Sequence, residues 1–579
     1  MSKNKSLALI TAFGGINAAG RSSSHLNYKN LIFDSLDELS KQEVLQDLAV
    51  LEGKIEPVRG GWETNSGDSI NLKTYLSEHS DQIRSQTMIR EIVREEFDID
   101  GTILDQIQVS SAGMLPSGFD PSNLYPARHH PRALQLTVFG MSDALGQLGI
   151  EWSKIQDRIN PDEVAVFSGA AIGQMDKSGF AGLMQSRLRG SRASSKNLPL
   201  GLVEMSADFI NAYVLGSVGR TGHCVGACAT FLYNLQLGKE AIENGTAKVV
   251  IVGGAEAPIT PETMDGFYAM SALANDKRLL ELQAQLNEPI EEGPNQRFAC
   301  RPFGENIGMV LGESSQFIIL MEDKLALDLG AEIYGSVASV FSHADGFKSS
   351  ISGPGIGNYI TMTKCTSETV SLIGLKNLRF RSFVHAHGTG TPANRTTESH
   401  ILNEIAKLYN IKSWPVTAIK SYLGHSMAPA SGDQCVTSLG TWNKGIIPKI
   451  HSVKKIAKDV HQSNLDFLLE HKIKDPDFYK VAFLNAKGFG GNNASAAILS
   501  PKTTKELIKD RYPTTRIRNH SKKVLRTKSS SKGYNSKALK GEYKVIYKFN
   551  EKVLQGETDI KLDKKEIRLK GFAKPIKLN

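Results

Sequence analysis

The sequence predicts an α/β fold with a buried sheet, and three features support this prediction. Apolar runs of strand length, such as residues 164–167 and 249–252, end in glycine-rich turns. Helical patterns of apolar residues separate these runs. Polar clusters stand directly after the apolar runs, where the sites of open α/β sheets assemble. Alternation of this kind is typical of a sheet covered by helices.

Length and composition are those of a globular protein. The chain has 579 residues, 40% of them apolar, which is enough for one or more large cores. No apolar run approaches the roughly 18 residues that cross a bilayer. Five cysteines without a CxxC pair indicate neither a disulfide framework nor a cysteine zinc site. We therefore expect a reducing, cytoplasmic location and no transmembrane segment.

The first half of the chain contains most of the predicted elements. Residues 7–13 form a buried first strand, or alternatively part of a segment that loosely imitates a secretory signal. Residues 20–115 are a long polar insertion without a catalytic pattern, with a charged helical segment at 81–96. The further predictions are a helix at 134–150, a strand at 164–167, a helix from Cys228 to about 244, a strand at 249–252, a polar surface insertion at 276–300 and a strand at 315–321.

The last 79 residues differ from the rest in charge. Residues 501–579 carry a net charge of +15, whereas the whole chain carries +9, so the first 500 residues are net acidic. Residues 501–540 are predicted to be a flexible or surface-wrapped linker, and residues 542–572 a small hairpin. This basic extension could attract an acidic protein, nucleic acid or an anionic membrane, or it could be a solvated surface.

Cys228 is the residue around which the predicted site is organised. It lies in TGHCVGACAT, where a helix begins, and the free N–H groups of a helix N-terminus favour a thiolate. Such a site can lower a cysteine pKa from about 8.5 to roughly 3.5–7.5, which would make Cys228 a nucleophile. The alternative is that Cys228 is a small buried apolar residue at a helix start.

Five motifs in order resemble those of the β-ketoacyl synthases of the thiolase superfamily: TGHCVGACAT, VGGAE, HGTGTP, KSYLGHS and NAKGFGGNN. The likeness covers about residues 7–19 and 115–500. It implies a duplicated thiolase fold of five αβαβα layers and a homodimer. The predicted divisions are residues 1–330 with the cysteine, 331–500 with two histidines, and the basic extension 501–579.

The resemblance also implies the chemistry. These synthases transfer an acyl group to a cysteine, here Cys228, and then condense it with a decarboxylating malonyl unit. His387 and His425 match the histidines that stabilise the resulting enolate. Phe489 matches the gate of the acyl pocket, and its N–H would join that of Cys228 in an oxyanion hole. Acyl carrier protein, acyl-CoA and malonyl thioesters are the implied partners; no nucleic acid, metal or bound organic cofactor is implied.

Four further residues match supporting positions in the family. Lys420 and Glu398 match a lysine and a glutamate expected to form a buried ion pair that positions the histidines. Thr389 and Thr391 match threonines that hydrogen-bond the phosphopantetheine arm, although they would serve equally well as polar caps at a strand end. The alternatives to these functions are solvated surface charges for Lys420 and Glu398.

The sequence also departs from the common pattern. Asn394 and Arg395 replace a usual glycine-aspartate pair, and NIGMVLGESSQ replaces a usual glycine-rich loop, which leaves substrate choice open. The opening ITAFGGINAAGRSS and the long insertion resemble the longer FabY type of synthase, which can start fatty-acid synthesis from acetyl-CoA. An elongating or polyketide-type synthase, and a non-catalytic subunit that shapes chain length, are the alternatives; a degradative thiolase would need a second cysteine near the C-terminus.

Overall fold

A computed structural model of the chain describes residues 5–92, 106–290, 292–351 and 353–578. The strands, in chain order, are β1 Ala8–Asn17, β2 Gly20–Arg21, β3 Ile55–Val58, β4 Gly61–Thr64, β5 Ser69–Ile70, β6 Ile89–Glu91, β7 Ser111–Gly113, β8 Val164–Gly169, β9 Arg220–Gly222, β10 Val249–Glu256, β11 Ser314–Glu322, β12 Gly335–Ala344, β13 Ser382–His385, β14 Trp414–Thr417, β15 Ile446–Ile447, β16 Leu465–Phe467, β17 Lys472–Ile473, β18 Val481–Gly488, β19 Asn492–Leu499, β20 Ile560–Leu562, β21 Glu566–Leu569 and β22 Ile576–Lys577.

The helices follow the predicted alternation with the strands. They are α1 Leu26–Leu31, α2 Glu38–Leu51, α3 Leu72–Glu78, α4 Ser80–Ser85, α5 Arg132–Leu148, α6 Trp152–Gln156, α7 Phe180–Gln185, α8 Asn197–Gly201, α9 Met205–Phe209, α10 Thr230–Glu243, α11 Pro261–Ala269, α12 Asp276–Gln285, α13 Asp323–Leu329, α14 Gly357–Ile373, α15 Leu375–Phe380, α16 Pro392–Leu408, α17 Lys420–Leu423, α18 Ala430–Lys444, α19 Pro501–Arg511, α20 Thr514–Ala538 and α21 Gly556–Asp559. Within the described ranges, no helix is both long and apolar enough to span a membrane.

The main sheet consists of two halves with the same strand order. The order is β1-β11-β10-β8-β9 in the first half and β12-β19-β18-β13-β14 in the second, where β16 is added at the edge. In each half the first two pairings are antiparallel and the last two are parallel. The halves meet where β1 pairs briefly with β12. This repeat confirms the predicted duplicated α/β fold.

Two helices lie between the halves of the sheet. Helix α10 packs against β8 and β10 of the first half and against β12 of the second, while α18 packs against β11 and β18. Helix α5 covers β1 and β11 on one outer face, and α14 covers β12 and β19 on the other. The central helices bury apolar side chains toward both halves, and this core fixes where their N-termini lie.

The insertion differs locally from its prediction. The helix expected at residues 81–96 ends at Ser85, and Ile89–Glu91 instead forms β6, which pairs with β7. Met88 has a left-handed backbone (φ 66°), which interrupts any helix at this point. The end of the predicted helix, residues 93–96, lies outside the described residues. The segment predicted as surface at 276–300 begins with α12, whose Leu279 is fully buried.

Of the two forms predicted for residues 501–540, the flexible linker is wrong and the surface-wrapped segment is closer, because these residues form α19 and α20, and α20 packs on the rest of the chain. Helix α20 packs on α5 and α13, and its Thr527 hydroxyl donates to the Gly330 carbonyl at 2.7 Å. Within the segment predicted to form a hairpin, residues 542–572, β20 and β21 pair antiparallel, and β22 extends this hairpin to a three-stranded sheet.

A buried cluster around Arg21 ties the extension to the rest of the chain. The Arg21 guanidinium donates to the Asp47 carboxylate of α2 and to the Asn535 side chain of α20, both at 2.8 Å. It lies 3.4 Å from Asp143 of α5, and the Tyr534 hydroxyl donates to the same carboxylate at 2.8 Å. Strand β2, helices α2 and α5, and the C-terminal extension therefore share one polar core.

Candidate functional site

Cys228 lies where the first central helix begins. It occupies a single 3-10 turn, Ala227–Ala229, that leads into α10, and it is buried. Ala227 has a left-handed backbone (φ 49°), which is unusual for a residue with a side chain and costs about 1–3 kcal/mol. The packing of α10 between the two halves of the sheet therefore holds the chain in a conformation that it would not otherwise adopt.

His387 and His425 meet Cys228 from the second half of the sheet. His387 follows β13, and His425 follows β14 just before the second central helix. One ring nitrogen of each histidine and the Cys228 sulfur all lie within 4.8 Å of one another. The two rings are nearly perpendicular, with centroids 5.5 Å apart. The carboxyl ends of strands from both halves thus converge on one buried point.

The hydrogen bonds of His425 define its tautomer. The Met427 N–H donates to Nδ1 of His425 at 3.2 Å, so Nε2 carries the proton of the neutral ring. Nε2 is buried and has no hydrogen-bond partner among the described residues. Burial holds the pKa of His425 well below 6.5, and the Lys420 charge lowers it further. His425 therefore presents a free N–H donor beside the cysteine.

His387 is also neutral at physiological pH. Burial lowers its pKa well below 6.5, and the charges of Lys420 and Lys487 add to this effect. The structure thus brings together the three residues predicted to be catalytic, with two uncharged imidazoles next to one thiol.

The Cys228 thiol does not have the lowered pKa that the helix N-terminus suggested. Burial raises the pKa of Cys228 to about 11, against the opposing effects of the Lys420 charge and of the N–H groups of Cys228 and Phe489. Desolvation of the thiolate outweighs the helix terminus here. The N–H groups of Cys228 and Phe489 nevertheless both favour the thiolate.

Lys420 and Glu398 lie in the same buried region but do not form the predicted ion pair. The Lys420 ammonium donates to the His387 carbonyl at 2.6 Å. The Glu398 carboxylate accepts from the N–H groups of His387 and Gly388 at 2.6 and 2.9 Å. Each charge therefore binds the backbone that carries His387, because a peptide group offers a donor and an acceptor within reach of the two side chains.

The unusual residues Asn394 and Arg395 serve different purposes. The Asn394 side chain donates to Glu398 at 2.9 Å and so supports the site. Arg395 turns away toward Asp459 and Glu305, with which it forms ion pairs at 2.9 and 3.1 Å. The base at this position therefore does not add a charge to the reacting centre.

A pocket of about 130 Å³ leads to the three predicted catalytic residues. Thr389 and Thr391 line it, and their hydroxyl groups are 3.0 Å apart. Phe489 also lines the pocket, and its ring centroid lies 5.9 Å from that of Phe267. The loop between β12 and α14 supplies Asp345, Lys348, Ile351, Gly353 and Pro354 to the wall.

An apolar cluster fills the space around Cys228 on the side of the Phe489 ring. It combines residues of the insertion region with residues of α11 and of the loops at the strand ends: Ile92, Ile107, Val109, Ala112, Met114, Ile259, Met264, Phe267, Leu273, Met309, Leu311 and Met427. Such a cluster suits the hydrocarbon part of a ligand rather than its polar end.

Sequence reasoning missed two charged residues near the site. Glu256 ends β10, accepts from the N–H groups of Ala171 and Ala428, and has its pKa raised to about 7 by burial. Lys487 lines the pocket two residues before Phe489. Glu256 lies in the motif VGGAE, and Lys487 lies in the motif NAKGFGGNN. The alternation of side chains along β18 places Lys487 on the same face as Asn485, whose side chain donates a hydrogen bond to Glu398.

Cys228, His387 and His425 also have the donor types and the spacing of a zinc site. A zinc ligand must be a thiolate, whereas burial favours the protonated form of Cys228. The free N–H of His425 is a hydrogen-bond donor and offers no lone pair to a cation.

Comparisons with known proteins agree with this geometry. The model of the β-ketoacyl synthase N-terminal domain matches residues 71–326, and that of the C-terminal domain matches residues 334–454. The chain is 41% identical to the β-ketoacyl-[acyl-carrier-protein] synthase FabY of Pseudomonas aeruginosa over 98% of each protein. It is 28% identical to a 3-oxoacyl-[acyl-carrier-protein] synthase 2 of Synechocystis sp. over 59% of this chain and 76% of that protein.

Solved structures show the same relationship. The crystal structure of the ketosynthase FabY from P. aeruginosa superposes with a TM-score of 0.94 at 40% identity, covering 99% of this chain and 98% of that one. The ishigamide ketosynthase/chain length factor superposes with a TM-score of 0.61 at 19% identity, covering 86% of this chain and 99% of that one, which shows a shared fold.

Proposed function

The chain belongs to the β-ketoacyl synthase family, and we propose that it condenses an acyl thioester with malonyl-acyl carrier protein through Cys228, His387 and His425. The product is a 3-oxoacyl thioester, made for fatty acid synthesis. The observation that carries this proposal is the meeting of one thiol, two neutral imidazoles and two converging backbone N–H groups in one buried pocket.

The first step transfers the acyl group to Cys228. The sulfur attacks the thioester carbonyl, and the N–H groups of Cys228 and Phe489 stabilise the oxyanion. The thiol proton passes to the leaving thiolate, so each neutral imidazole keeps its one N–H, and an acyl-Cys228 thioester remains.

The second step uses both histidines as donors. The malonyl thioester oxygen accepts hydrogen bonds from the ring N–H groups of His387 and His425 while the bond to the carboxylate breaks. Carbon dioxide leaves, and the electron pair of that bond forms an enolate. The enolate carbon attacks the acyl carbon on Cys228, and the thiolate is expelled and takes up a proton. The reaction balances without a metal or a bound organic cofactor.

We infer that the starter is a short acyl group delivered as acetyl-CoA. The pocket volume of about 130 Å³ supports this, as does the packing of the apolar cluster around Cys228. An acetyl group fits such a space, whereas a long chain would require the cluster to open. Elongation of longer chains is therefore the less favoured activity.

The test is the intact mass of the protein after incubation with acetyl-CoA and, separately, with long-chain acyl carrier proteins. Native chain and Cys228→Ala are compared, and Cys224→Ala serves as the matched control because Cys224 is the exposed cysteine of the same loop. An acetyl adduct that forms in the native chain and in Cys224→Ala, but not in Cys228→Ala, supports an initiating synthase. Acylation by long chains alone contradicts the starter, and no Cys228-dependent adduct contradicts the mechanism.

We propose a cytoplasmic homodimer formed at the β9 end of the sheet. Strand β9 is the last strand of its half, and no described strand pairs with its outer edge. Val218 and Val225, which flank it, are 44% and 42% exposed. A sheet edge with apolar neighbours is a favourable surface for a second copy. Light scattering should give about twice the chain mass of 63.2 kDa, and a monomeric mass would contradict the proposal.

A further inference from the structure

Lys487 is a charged residue of the catalytic pocket to which the proposed steps give no role. It lines the same pocket as Cys228, His387 and His425. It stands near the end of β18, two residues before Phe489, and its positive charge contributes to the low pKa of His387. Lys487 is therefore near the two imidazoles that would hold the malonyl thioester oxygen.

The Lys487 ammonium retains hydrogen-bonding capacity. It donates to the Thr397 hydroxyl at 3.0 Å, and that hydroxyl donates in turn to the Ala393 carbonyl at 2.8 Å. An ammonium group has three donors, and no other hydrogen bond of Lys487 is formed within the described part of the chain. Thr397 thus fixes the direction of the side chain, and two N–H groups remain for a ligand.

The other charges around the pocket are already engaged. Lys348 donates to the carbonyls of Ile351 and Gly353 at 2.7 and 3.4 Å, and it lies 3.8 Å from Asp345. The Asp345 carboxylate also accepts from the Gly357 N–H and the Asn493 side chain at 3.1 and 2.7 Å. Lys420 bonds the His387 carbonyl. Lys487 is the pocket lysine that is best placed to receive an anion.

The malonyl unit brings such an anion. Its carboxylate is attached to the carbon next to the thioester carbonyl, so it lies close to the oxygen that His387 and His425 would bind. An ionised carboxylate in a buried site requires a positive partner or several donors, and both histidines are neutral. We propose that Lys487 binds the malonyl carboxylate and so selects the extender unit, an inference that rests on the proposed function.

This role has a distinct kinetic consequence. When the carbon–carbon bond breaks, its electrons pass to the enolate and the carboxylate leaves as neutral carbon dioxide, so the partner of Lys487 loses its charge. The ion pair is therefore stronger in the bound substrate than in the transition state. Lys487 should lower KM for the malonyl thioester without raising kcat.

Lys487→Gln and Lys487→Met test the proposal, because both remove the charge and keep most of the length. We expect KM for malonyl-acyl carrier protein to rise at least tenfold and kcat to stay unchanged or to rise. Acetylation of Cys228 by acetyl-CoA alone should continue, and Lys487→Arg should restore part of the affinity. Lys407→Gln on the surface of α16, where the lysine side chain is 70% exposed, is the matched control for charge removal.

Malonyl-CoA and malonyl-pantetheine distinguish the carboxylate from the phosphate as the ligand, because the second substrate has no phosphate. The proposal requires the same KM increase with both. An increase seen only with malonyl-CoA would assign Lys487 to the phosphate and overturn the proposal. A loss of kcat at unchanged KM would overturn it as well, since that pattern is expected of a residue that acts through His387. Failure of the native chain to acetylate or condense would instead reject the proposed function.

Discussion

Glu398 and Lys420 hold the two ends of one residue: Glu398 accepts from the His387 N–H at 2.6 Å, and Lys420 donates to the His387 carbonyl at 2.6 Å. Both bonds involve a charged group and are buried, which makes each stronger than a bond between neutral groups. The His387 backbone is therefore clamped on both sides, and the imidazole can move only about its own side-chain torsions. This arrangement fixes the position of His387 through its backbone.

Replacing Lys420 by methionine should weaken both steps of the reaction. The change removes one side of the clamp, and loss of a hydrogen bond to a charged group costs about 1.5–3 kcal/mol, or about 10–100-fold in rate. It also removes a charge that lowers the pKa of Cys228, so that pKa should rise. We would measure acetylation of Cys228 and condensation separately. Unchanged rates for both would show that the clamp has no catalytic role.

The condensation rate should be insensitive to pH in the range where free histidine titrates. His387 and His425 have pKa values well below 6.5, so both stay neutral, and keep their donor function, as pH falls from 8 through 6.5. A decline is expected only at lower pH, where the imidazoles become protonated. The measurement is the single-turnover condensation rate of enzyme already acetylated on Cys228, followed against pH with saturating malonyl substrate. An inflection of this rate near pH 6.5 would contradict neutral, buried histidines.

Alkylation of Cys228 by iodoacetamide should depend steeply on pH. With a thiol pKa of about 11, the thiolate fraction rises with every unit of pH up to about 11. The alkylation rate should therefore increase about tenfold per pH unit between 7 and 10. Cys228→Ala identifies the signal that belongs to this residue. A plateau reached below pH 8 would mean that the helix N-terminus outweighs burial after all.

Loss of Arg21 should destabilise the whole protein. Arg21→Met leaves the buried Asp47 and Asp143 carboxylates without their guanidinium partner, and an unpaired buried charge costs about 3–5 kcal/mol. Lys154→Ala is the control, because the ion pair of Lys154 with Glu151 is solvent-exposed and should matter little. Urea unfolding followed by circular dichroism compares the two. Equal free energies of unfolding for Arg21→Met and Lys154→Ala would mean that the cluster does not hold the extension in place.

Several of these features were predictable from the sequence and others were not. The helix after Cys228 and the strands before His387 and His425 have regular apolar spacing, which local patterns reveal. Helix α20 was missed because it buries small polar residues, among them Thr527, Ser531 and Asn535, and these give no apolar stripe. The clamp on His387 was missed because motif spacing places two charges in one region but does not tell whether they bind each other or a peptide group.

The position of α20 also bears on how a carrier protein would be attracted. Its N-terminal half packs near α13, which follows the end of β11, whereas the site lies at the beginning of β11. Nine residues of extended strand span about 30 Å, which is about three Debye lengths at 0.1 M salt. This geometry does not favour the idea that the basic extension recruits acyl carrier protein.

Charge reversal on α20 tests this conclusion. Arg518, Lys522 and Arg526 are exposed and form no ion pair with any residue that the structure describes. Changing all three to glutamate should leave acylation of Cys228 from acyl carrier protein unchanged at low and high salt, because the charges lie too far from the pocket. A slower, salt-dependent reaction in the variant would show that the basic extension does recruit acyl carrier protein.

The cluster around Arg21 can be completed only late in the synthesis of the chain. Arg21 leaves the ribosome early, while its partner Asn535 is made 514 residues later. At about 5–20 residues per second, roughly 25–100 s separate the two. During this time Arg21, in β2, lacks Asn535, although its partners Asp47 and Asp143 are made early. Completion of the Arg21 cluster therefore depends on α20, which is made near the end of synthesis, and a chain truncated before α20 leaves this cluster incomplete.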